Sequence, residues 1–409
     1  MKIGIFFDDL TNVGGGFYLA LSKLKLLTKI NDPKMNFECF VTTEESFEYI
    51  KKEGIINLRL FRLNISRKIL FFLFSLNFVK RFSNYFGILN PLENILNKEK
   101  FDLLVFVSPS SFVRFCDNIN FIYNIWETQH RNISYFPEYK KKNKLSPSYF
   151  DIREQSYKFA VDKAFKIIVD TEASKKDIIS LYNCREELFE KQAFVPTLPK
   201  YYESIKKNVN FDEIFSNLNI PKKKIFFYPA QFWPHKNHRY IIDSIEILKN
   251  EYKNKNFQVV FCGKDKGNKK ILKNIVEERK LSEQIIFYEF LSLDQVISLY
   301  LNCSALIMPT YVGRSSLPLR ESFYFKKPVF YTKNLLDEEY SKFVVEIDIY
   351  KPQDLAKKLL DFLNSEEKYK KIIEQSYHFY LNNINDEKIY LSYKKMLFEF
   401  DYIRKRWSN

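Results

Sequence analysis

Cysteine and long apolar runs are scarce in this 409-residue sequence. The five cysteines are odd in number, widely spaced and include no C-x-x-C pair. This pattern argues against a disulfide framework and a zinc site, and it favours a reducing cytoplasm. No apolar run reaches the ~18 residues that a membrane span needs. Because "MKIGIFFDDL" enters a strand pattern without a signal-peptide apolar region, we expect a cytoplasmic protein, either soluble or peripheral to a membrane.

Acidic residues are fewer than basic residues, and the formal net charge is +15. A basic surplus predicts attraction to nucleic acid, to an anionic membrane or to a phosphorylated small molecule. Most lysines alternate with acids along helical stretches such as "KNIVEERKLSEQ", which favours an ordinary solvated surface. The basic residues are spread through both halves of the chain, so we expect no nucleic-acid partner.

The sequence contains many short apolar runs, such as "KIGIFF", "FECFVTT" and "FDLLVFVSP". Between them lie segments whose apolar residues recur at helical spacing. This alternation predicts an α/β fold with parallel, doubly wound sheets. The chain turns polar from about Pro199 to Ile220, and the alternation restarts at "IFFYPA". We predict two Rossmann-like domains, 1–200 and 210–385, with an amphipathic final helix, 386–409, that crosses back to the first domain.

Residues 66–89, "SRKILFFLFSLNFVKRFSNYFGIL", depart from this alternation. Large apolar residues are mixed with Arg67, Lys68, Lys80 and Arg81. An interfacial segment has this composition, because Phe and Leu enter the headgroup boundary while basic residues meet anionic lipid. An internal helix packed on the sheet has it too. Both interpretations stay open at this stage.

Ligands of open α/β sheets bind beyond the carboxyl ends of the strands, so the residues there are the candidates. After "IFFYPA" comes "QFWPHKNHRY", where Lys236 and helix-terminal N–H groups suit a phosphate; an N-cap beside a solvated lysine is the structural alternative. After "FQVVFCG" comes "KDKGNKK", in which Gly263 and Lys264 indicate either a backbone approach to ligand or a surface turn.

Glycine and proline are rare, at 9 and 14 residues, yet Gly313, two serines, Pro318 and Glu321 lie within nine residues. Gly313 permits an unusual backbone conformation, and Pro318 fits the first turn of a helix. The serine and helix-terminal donors, with Arg314, suit an anion. A carboxylate beside them, Glu321, needs hydroxyl donors such as a ribose diol. This pattern predicts a nucleoside diphosphate site; a capped helix with an incidental acid is the alternative.

Taken together, these motifs resemble family 4 glycosyltransferases of the GT-B fold. "YPAQFWPHKNH" and "PTYVGRSSLPLRESFYFKKPVF" resemble their C-terminal domain, and "GGGFYLALSKL", "WETQHRNISYFPEY" and "IIVDTEASKKDII" resemble motifs of the N-terminal domain. The resemblance implies two domains facing across a cleft and transfer of a hexose-type sugar, with retention, from a nucleotide donor to a glycan or lipid-linked acceptor. Bacterial surface polysaccharide synthesis is the implied context.

The resemblance also assigns residues. Donor binding falls to Gly15, Gly16, Gln231, Lys236, Gly263, Lys264, Gly313, Arg314, Ser315, Ser316, Leu317 and Glu321. Acceptor binding falls to Gly14, Glu127, His130 and Arg131. Catalytic roles fall to His130, Lys236, Arg314 and Glu321. A tight turn at the three glycines and a structural role for His130 are the alternatives.

Two positions depart from the family pattern. Gly313 stands where the family usually carries an acid, and Gln231 stands where it carries a phosphate-binding arginine. Arg314 restores the positive charge, so we expect an active variant. The sequence has no D-x-D motif, and Asp8-Asp9 lacks its spacing, so we expect no metal or other cofactor. A nucleotide-sugar epimerase and a noncatalytic binder of the same fold remain alternatives.

Overall fold

The computed structural model describes residues 1–9, 14–140, 147–314 and 316–406, apart from the side chains at positions 77 and 84. The chain forms two compact units. The first comprises Met1–Thr128, Lys141–Phe194 and Asn385–Asn409, and the second comprises Gln129–Lys140 and Val195–Ile384.

The first unit is built on a parallel sheet with the order β3-β2-β1-β4-β5-β6-β7. Its strands are β1 (Lys2–Phe7), β2 (Asn36–Val41), β3 (Leu58–Leu60), β4 (Leu103–Phe106), β5 (Asn120–Asn124), β6 (Lys166–Val169) and β7 (Phe189–Lys191). Its helices are α1 (Gly15–Thr28), α2 (Glu44–Lys52), α3 (Ile65–Ser75), α4 (Asn77–Tyr85), α5 (Pro91–Lys98), α6 (Tyr149–Lys163) and α7 (Glu172–Tyr182). Helical crossovers cover both faces, which explains why β4 is apolar throughout and β1 is apolar after Lys2.

The second unit is built on a parallel sheet with the order β10-β9-β8-β11-β12-β13. Its strands are β8 (Lys224–Pro229), β9 (Phe257–Cys262), β10 (Ile285–Tyr288), β11 (Ala305–Met308), β12 (Val329–Thr332) and β13 (Val345–Ile347). Its helices are α8 (Thr197–Ile205), α9 (Phe211–Ser216), α10 (His238–Asn250), α11 (Lys269–Glu278), α12 (Leu293–Asn302), α13 (Leu317–Tyr324), α14 (Glu338–Ser341), α15 (Pro352–Asn364) and α16 (Lys370–Asn383). The predicted doubly wound α/β fold is therefore confirmed.

The final helix, α17 (Asp386–Arg404), groups with the first unit. Its apolar stripe is buried, and the Phe400 ring lies 5.1 Å from that of Phe165. Lys166 pairs with Glu399 at 2.9 Å, which adds an ion pair to this contact.

Residues 129–140 group with the second unit, whereas the sequence prediction assigned them to a first domain of 1–200. The physical reason lies in the contacts of this segment, since the Phe136 ring lies 5.2 Å from that of Tyr311.

None of the helices in the described ranges is both long enough and apolar enough to cross a membrane.

Candidate functional site

Two loops of the second unit meet where its strand order reverses. Strands β8 and β11 are neighbours there, and the chain leaves them in opposite directions along the sheet, which opens a crevice at their carboxyl ends. The Tyr311 amide donates to the His235 carbonyl at 3.0 Å. The Tyr228 hydroxyl donates to the Lys236 carbonyl at 2.9 Å. The loop after β8 is therefore fixed against the loop after β11.

Gly313 lies in this crevice-forming loop in a left-handed conformation, with φ of 111°. A residue with a Cβ adopts this conformation only with strain. Its carbonyl accepts from the Tyr331 hydroxyl at 2.6 Å, and its amide donates to the Gln129 side chain. Gly313 therefore shapes the loop through its backbone, which gives a structural reason for a glycine where the resembling family has an acid.

Helix α13 begins directly after this loop. The Ser316 hydroxyl caps it by accepting from the Leu319 amide at 3.3 Å, and Pro318 lies in the first turn. The helix start therefore presents the amides of Ser316 and Leu317 and the positive end of the helix dipole. Arg314 lies 3.9 Å from Asp337 and is partly exposed. Ser315, a predicted donor-binding residue, lies outside the described residues.

Glu321 lies one turn into α13, and its carboxylate accepts from the Tyr300 hydroxyl at 2.7 Å. Burial raises the pKa of Glu321 to about 7, although the hydrogen bond from Tyr300 acts in the opposite direction. A carboxyl group with this pKa is poised between its two forms near neutral pH. Hydroxyl donors from a ligand would favour its ionised form.

Lys236 ends a short 3-10 helix, Pro234–Lys236, that precedes α10. Asn237 follows in a left-handed conformation and occupies the N-cap position of α10. Its side chain makes no capping hydrogen bond, so the N-cap alternative holds for the position and not for the side chain. Gln231 accepts from the Trp233 indole N–H at 3.0 Å. Lys236 is therefore the basic residue of this loop nearest the start of α10.

Gly263 and Lys264 follow each other at the end of β9, and both contact the loop after β8. A Cβ at Gly263 would lie 2.3 Å from the Ala230 carbonyl oxygen, so only glycine fits. The Phe232 amide donates to the Lys264 carbonyl at 3.1 Å. In this structure both residues act through their backbones, which accounts for the glycine without a ligand.

The segment 129–140 adds an acid and a histidine to this edge of the second unit. The His235 Nδ1 is hydrogen-bonded to the Glu138 carboxylate. Burial alone would raise the pKa of Glu138, but the hydrogen bond with His235, backbone hydrogen bonds and the charge of His235 together outweigh burial, and the pKa lies below its usual value. His130 is fully buried, with its ring 6.3 Å from that of Tyr139. Arg131 is half-buried in the same short 3-10 helix.

The remaining predicted residues belong to the first unit. Gly14 precedes α1 with φ of 98°, which requires glycine. Gly15 is the first residue of α1, and a Cβ on Gly16 would lie 3.1 Å from the Trp126 ring, so this glycine makes room for an indole. The Glu127 carboxylate is paired with Arg153.

The first unit also carries two carboxyl groups at its own strand-order reversal, between β1 and β4. Asp8 accepts from the hydroxyls of Thr42 and Ser110, both at 2.7 Å. Burial raises the pKa of Asp8, and it raises the pKa of Asp9 to about 7. The sequence argument considered these acids only as a failed D-x-D motif. Their position directly after β1 is the signal that would have selected them.

Sequence reasoning missed Tyr300, Tyr331, Gln129 and Glu138. Tyr300 lies 21 positions from Glu321, and Glu138 lies 97 positions from His235, so local patterns carry no signal for either contact. Among the described residues, no group of three or more His, Cys, Asp or Glu side chains could hold a metal ion.

Residues 210–379, within the second unit, match the family model "Glycosyl transferases group 1". None of the curated proteins matches the sequence. The chain as a whole has the two-sheet fold of GT-B glycosyltransferases.

Three solved structures illustrate the likeness. HepE of Anabaena, solved with UDP-glucose, is 13% identical with a TM-score of 0.69, covering 98% of this chain and 100% of that one. A glycosyltransferase from Rickettsia africae is 15% identical with a TM-score of 0.67, covering 99% and 98%. UDP-GlcNAc 2-epimerase from Neisseria meningitidis, bound to UDP-GlcNAc, is 14% identical with a TM-score of 0.58, covering 98% and 100%. Transferases and an epimerase therefore share this fold.

Proposed function

We propose that the chain is a retaining glycosyltransferase of group 1 that moves a hexose-type sugar from a nucleoside diphosphate donor to a glycan or lipid-linked glycan. The match of residues 210–379 to the family model supports the reaction class. The motifs in the first half of the chain support family 4 and a role in bacterial surface polysaccharide synthesis in the cytoplasm. HepE was solved with UDP-glucose, which supports a nucleotide sugar as the donor.

In this proposal, the second unit binds the donor. Lys236 and Arg314 neutralise the diphosphate, and the amides of Ser316 and Leu317 donate to its oxygens. Glu321 accepts from the ribose hydroxyls. The observation that carries the proposal is the placement of Glu321 one turn beyond the capped start of α13, where the Tyr300 hydroxyl donates to its carboxylate.

The chemical step breaks the bond between the anomeric carbon and the diphosphate oxygen, and the electron pair leaves with the diphosphate. A hydroxyl oxygen of the acceptor forms the new bond on the same face, and its proton passes to an oxygen of the departing diphosphate. Cations and amides placed beforehand around the departing oxygens lower the barrier, because negative charge develops there in the transition state. Lys236 and Arg314 carry this role. Gly14, Glu127, His130 and Arg131 remain the proposed acceptor-side residues.

Calorimetry with UDP, GDP and dTDP tests the donor site. We expect one nucleotide to bind wild-type protein and Glu321→Ala to weaken that binding about 10- to 100-fold, since hydrogen bonds to a charged group contribute about 1.5–3 kcal/mol. Glu251→Ala, an exposed acid just past the opposite end of α10, is the matched control and should bind normally. Unchanged affinity in Glu321→Ala would contradict the ribose assignment.

Two other functions are supported by specific observations. The fold likeness to UDP-GlcNAc 2-epimerase supports an epimerase, and the departures at Gly313 and Gln231 support a noncatalytic binder. Incubating the bound nucleotide sugar with and without oligosaccharide acceptors separates the three. A transferase forms glycoside only with acceptor, an epimerase converts the donor without it, and a binder leaves the donor intact.

A further inference from the structure

Helices α3 and α4, with the turn that follows, expose an unusual number of large apolar side chains. Ile65 and Phe78 are each 79% exposed, and Phe72 is 61% exposed. The full set is Ile65, Ile69, Leu70, Phe72, Leu73, Leu76, Phe78, Phe82, Tyr85, Phe86 and Ile88. We call this set the α3–α4 surface. An apolar patch this continuous in sequence marks an interaction site in a soluble protein.

The α3–α4 surface lies on helices that are themselves attached to the core. Phe71, on α3, is buried with its ring 4.8 Å from that of Phe115 and 5.1 Å from that of Phe112. Ser83, on α4, is also buried. Each helix therefore packs one side inward and presents the other outward. The structure corrects the simple internal-helix alternative, because most of the apolar residues do not pack on the sheet.

The segment that forms this surface carries charge of one sign. No Asp or Glu lies between Glu53 and Glu93. Lys80 pairs with Asp117 at 2.9 Å, so its charge is neutralised within the first unit. Arg67 lies 5.1 Å from the Phe61 ring and donates to a backbone carbonyl.

Two of the four basic residues remain available to a partner. Lys68 and Arg81 are exposed and have no ion-pair partner among the described residues. A partner that fits both the apolar residues and these cations must itself be apolar and anionic.

We propose that the α3–α4 surface binds an anionic lipid bilayer, with its apolar side chains in the headgroup–acyl boundary and Lys68 and Arg81 on lipid phosphates. A second copy of the chain fits less well. A two-fold contact sets this surface against its own copy, so Lys68 and Arg81 meet a second basic segment that has no acid to pair with them. The proposal is independent of the reaction, since it rests on exposure and charge alone.

Flotation with vesicles tests the proposal. Wild-type protein should float with phosphatidylcholine vesicles that contain phosphatidylglycerol and float far less with phosphatidylcholine alone. Removing the charges in Lys68→Gln and Arg81→Gln should each weaken binding to the anionic vesicles about fivefold. Phe78→Ser with Phe82→Ser should weaken it at least tenfold, because both rings lose their apolar contact.

Phe290→Ser is the matched control, because Phe290 in the second unit is 79% exposed, as Phe78 is. It should float like wild type, and circular dichroism should show that every variant is folded. The proposal is wrong if wild-type protein does not float with anionic vesicles, or if the double Phe variant floats equally well. It is also wrong if wild-type protein is a dimer that Phe78→Ser dissociates while vesicle binding is absent.

Discussion

At the scale of a single residue, Glu321 makes the stability of the folded chain depend on pH. Its pKa is about 7 in the folded chain against 4.5 in its ordinary state, so the native state binds more protons than the unfolded state between these values. Stability contributed by the protonated group is therefore complete below about pH 4.5 and is lost as the pH rises toward and through about 7. The loss reflects the cost of burying the charged form.

Replacing Glu321 with Gln should remove this cost. Without nucleotide, Glu321→Gln should unfold at a higher temperature than wild type at about pH 8, with a much smaller difference at about pH 5. Thermal unfolding followed by circular dichroism across this range measures the difference. Parallel curves for the two proteins would show that Glu321 does not titrate in the folded chain.

Lys236 should distinguish a diphosphate from a nucleoside. Lys236→Met retains the apolar length of the side chain and removes its charge, so it should weaken nucleoside diphosphate binding about tenfold or more and leave nucleoside binding unchanged. Lys222→Met, an exposed lysine in the same unit, is the control. Equal losses for nucleoside and diphosphate would place Lys236 away from the phosphates.

Gly263 acts at the scale of structural elements, because it lets β9 approach the loop after β8. Gly263→Ala would drive a Cβ to 2.3 Å from the Ala230 carbonyl oxygen, so the loop must shift. We expect a loss of about 1–3 kcal/mol in the free energy of unfolding, together with weaker nucleotide binding.

Gly54→Ala provides the comparison for this prediction. Gly54 has φ of 78° but no atom within 4 Å of a Cβ, so the variant carries backbone strain alone. It should lose about 1–2 kcal/mol and bind nucleotide normally. Denaturant unfolding and calorimetry measure both quantities. Normal nucleotide binding by Gly263→Ala would show that the β8 loop does not contact the ligand.

Elements defined by local sequence were predictable. The run "KIGIFF" is β1, and Pro318 lies in the first turn of α13. Apolar runs and caps depend on neighbouring residues, which the sequence displays directly. Contacts such as Tyr300 with Glu321 depend on how distant elements pack, and no local pattern encodes them.

The segment 129–140 and the α3–α4 surface are two further features that local sequence patterns do not determine. The motif "WETQHRNISYFPEY" gave candidate residues but not the unit with which most of them pack. The composition of residues 66–89 fitted an internal helix and an interfacial segment equally well, because both need large apolar side chains. Only the exposure of each side chain distinguishes them.

At the scale of the whole molecule, the proposed donor site uses side-chain cations in place of a divalent ion. Sugar transfer should therefore persist in EDTA at near the untreated rate, whereas an enzyme that holds its diphosphate through Mg²⁺ loses activity. Product formation measured with and without EDTA, followed by added Mg²⁺, checks this expectation. Loss of transfer that Mg²⁺ restores would contradict a donor site in which Lys236, Arg314 and the amides of α13 hold the diphosphate without a metal ion.

The central claim is that the second unit binds a nucleoside diphosphate beyond β8 and β11. A crystal structure of the full chain with the nucleotide selected by calorimetry tests it most directly. The account predicts a diphosphate against Lys236, Arg314 and the start of α13, with both ribose hydroxyls donating to Glu321. A nucleotide bound elsewhere, or a Glu321 carboxylate that makes no contact with the ribose, would contradict it.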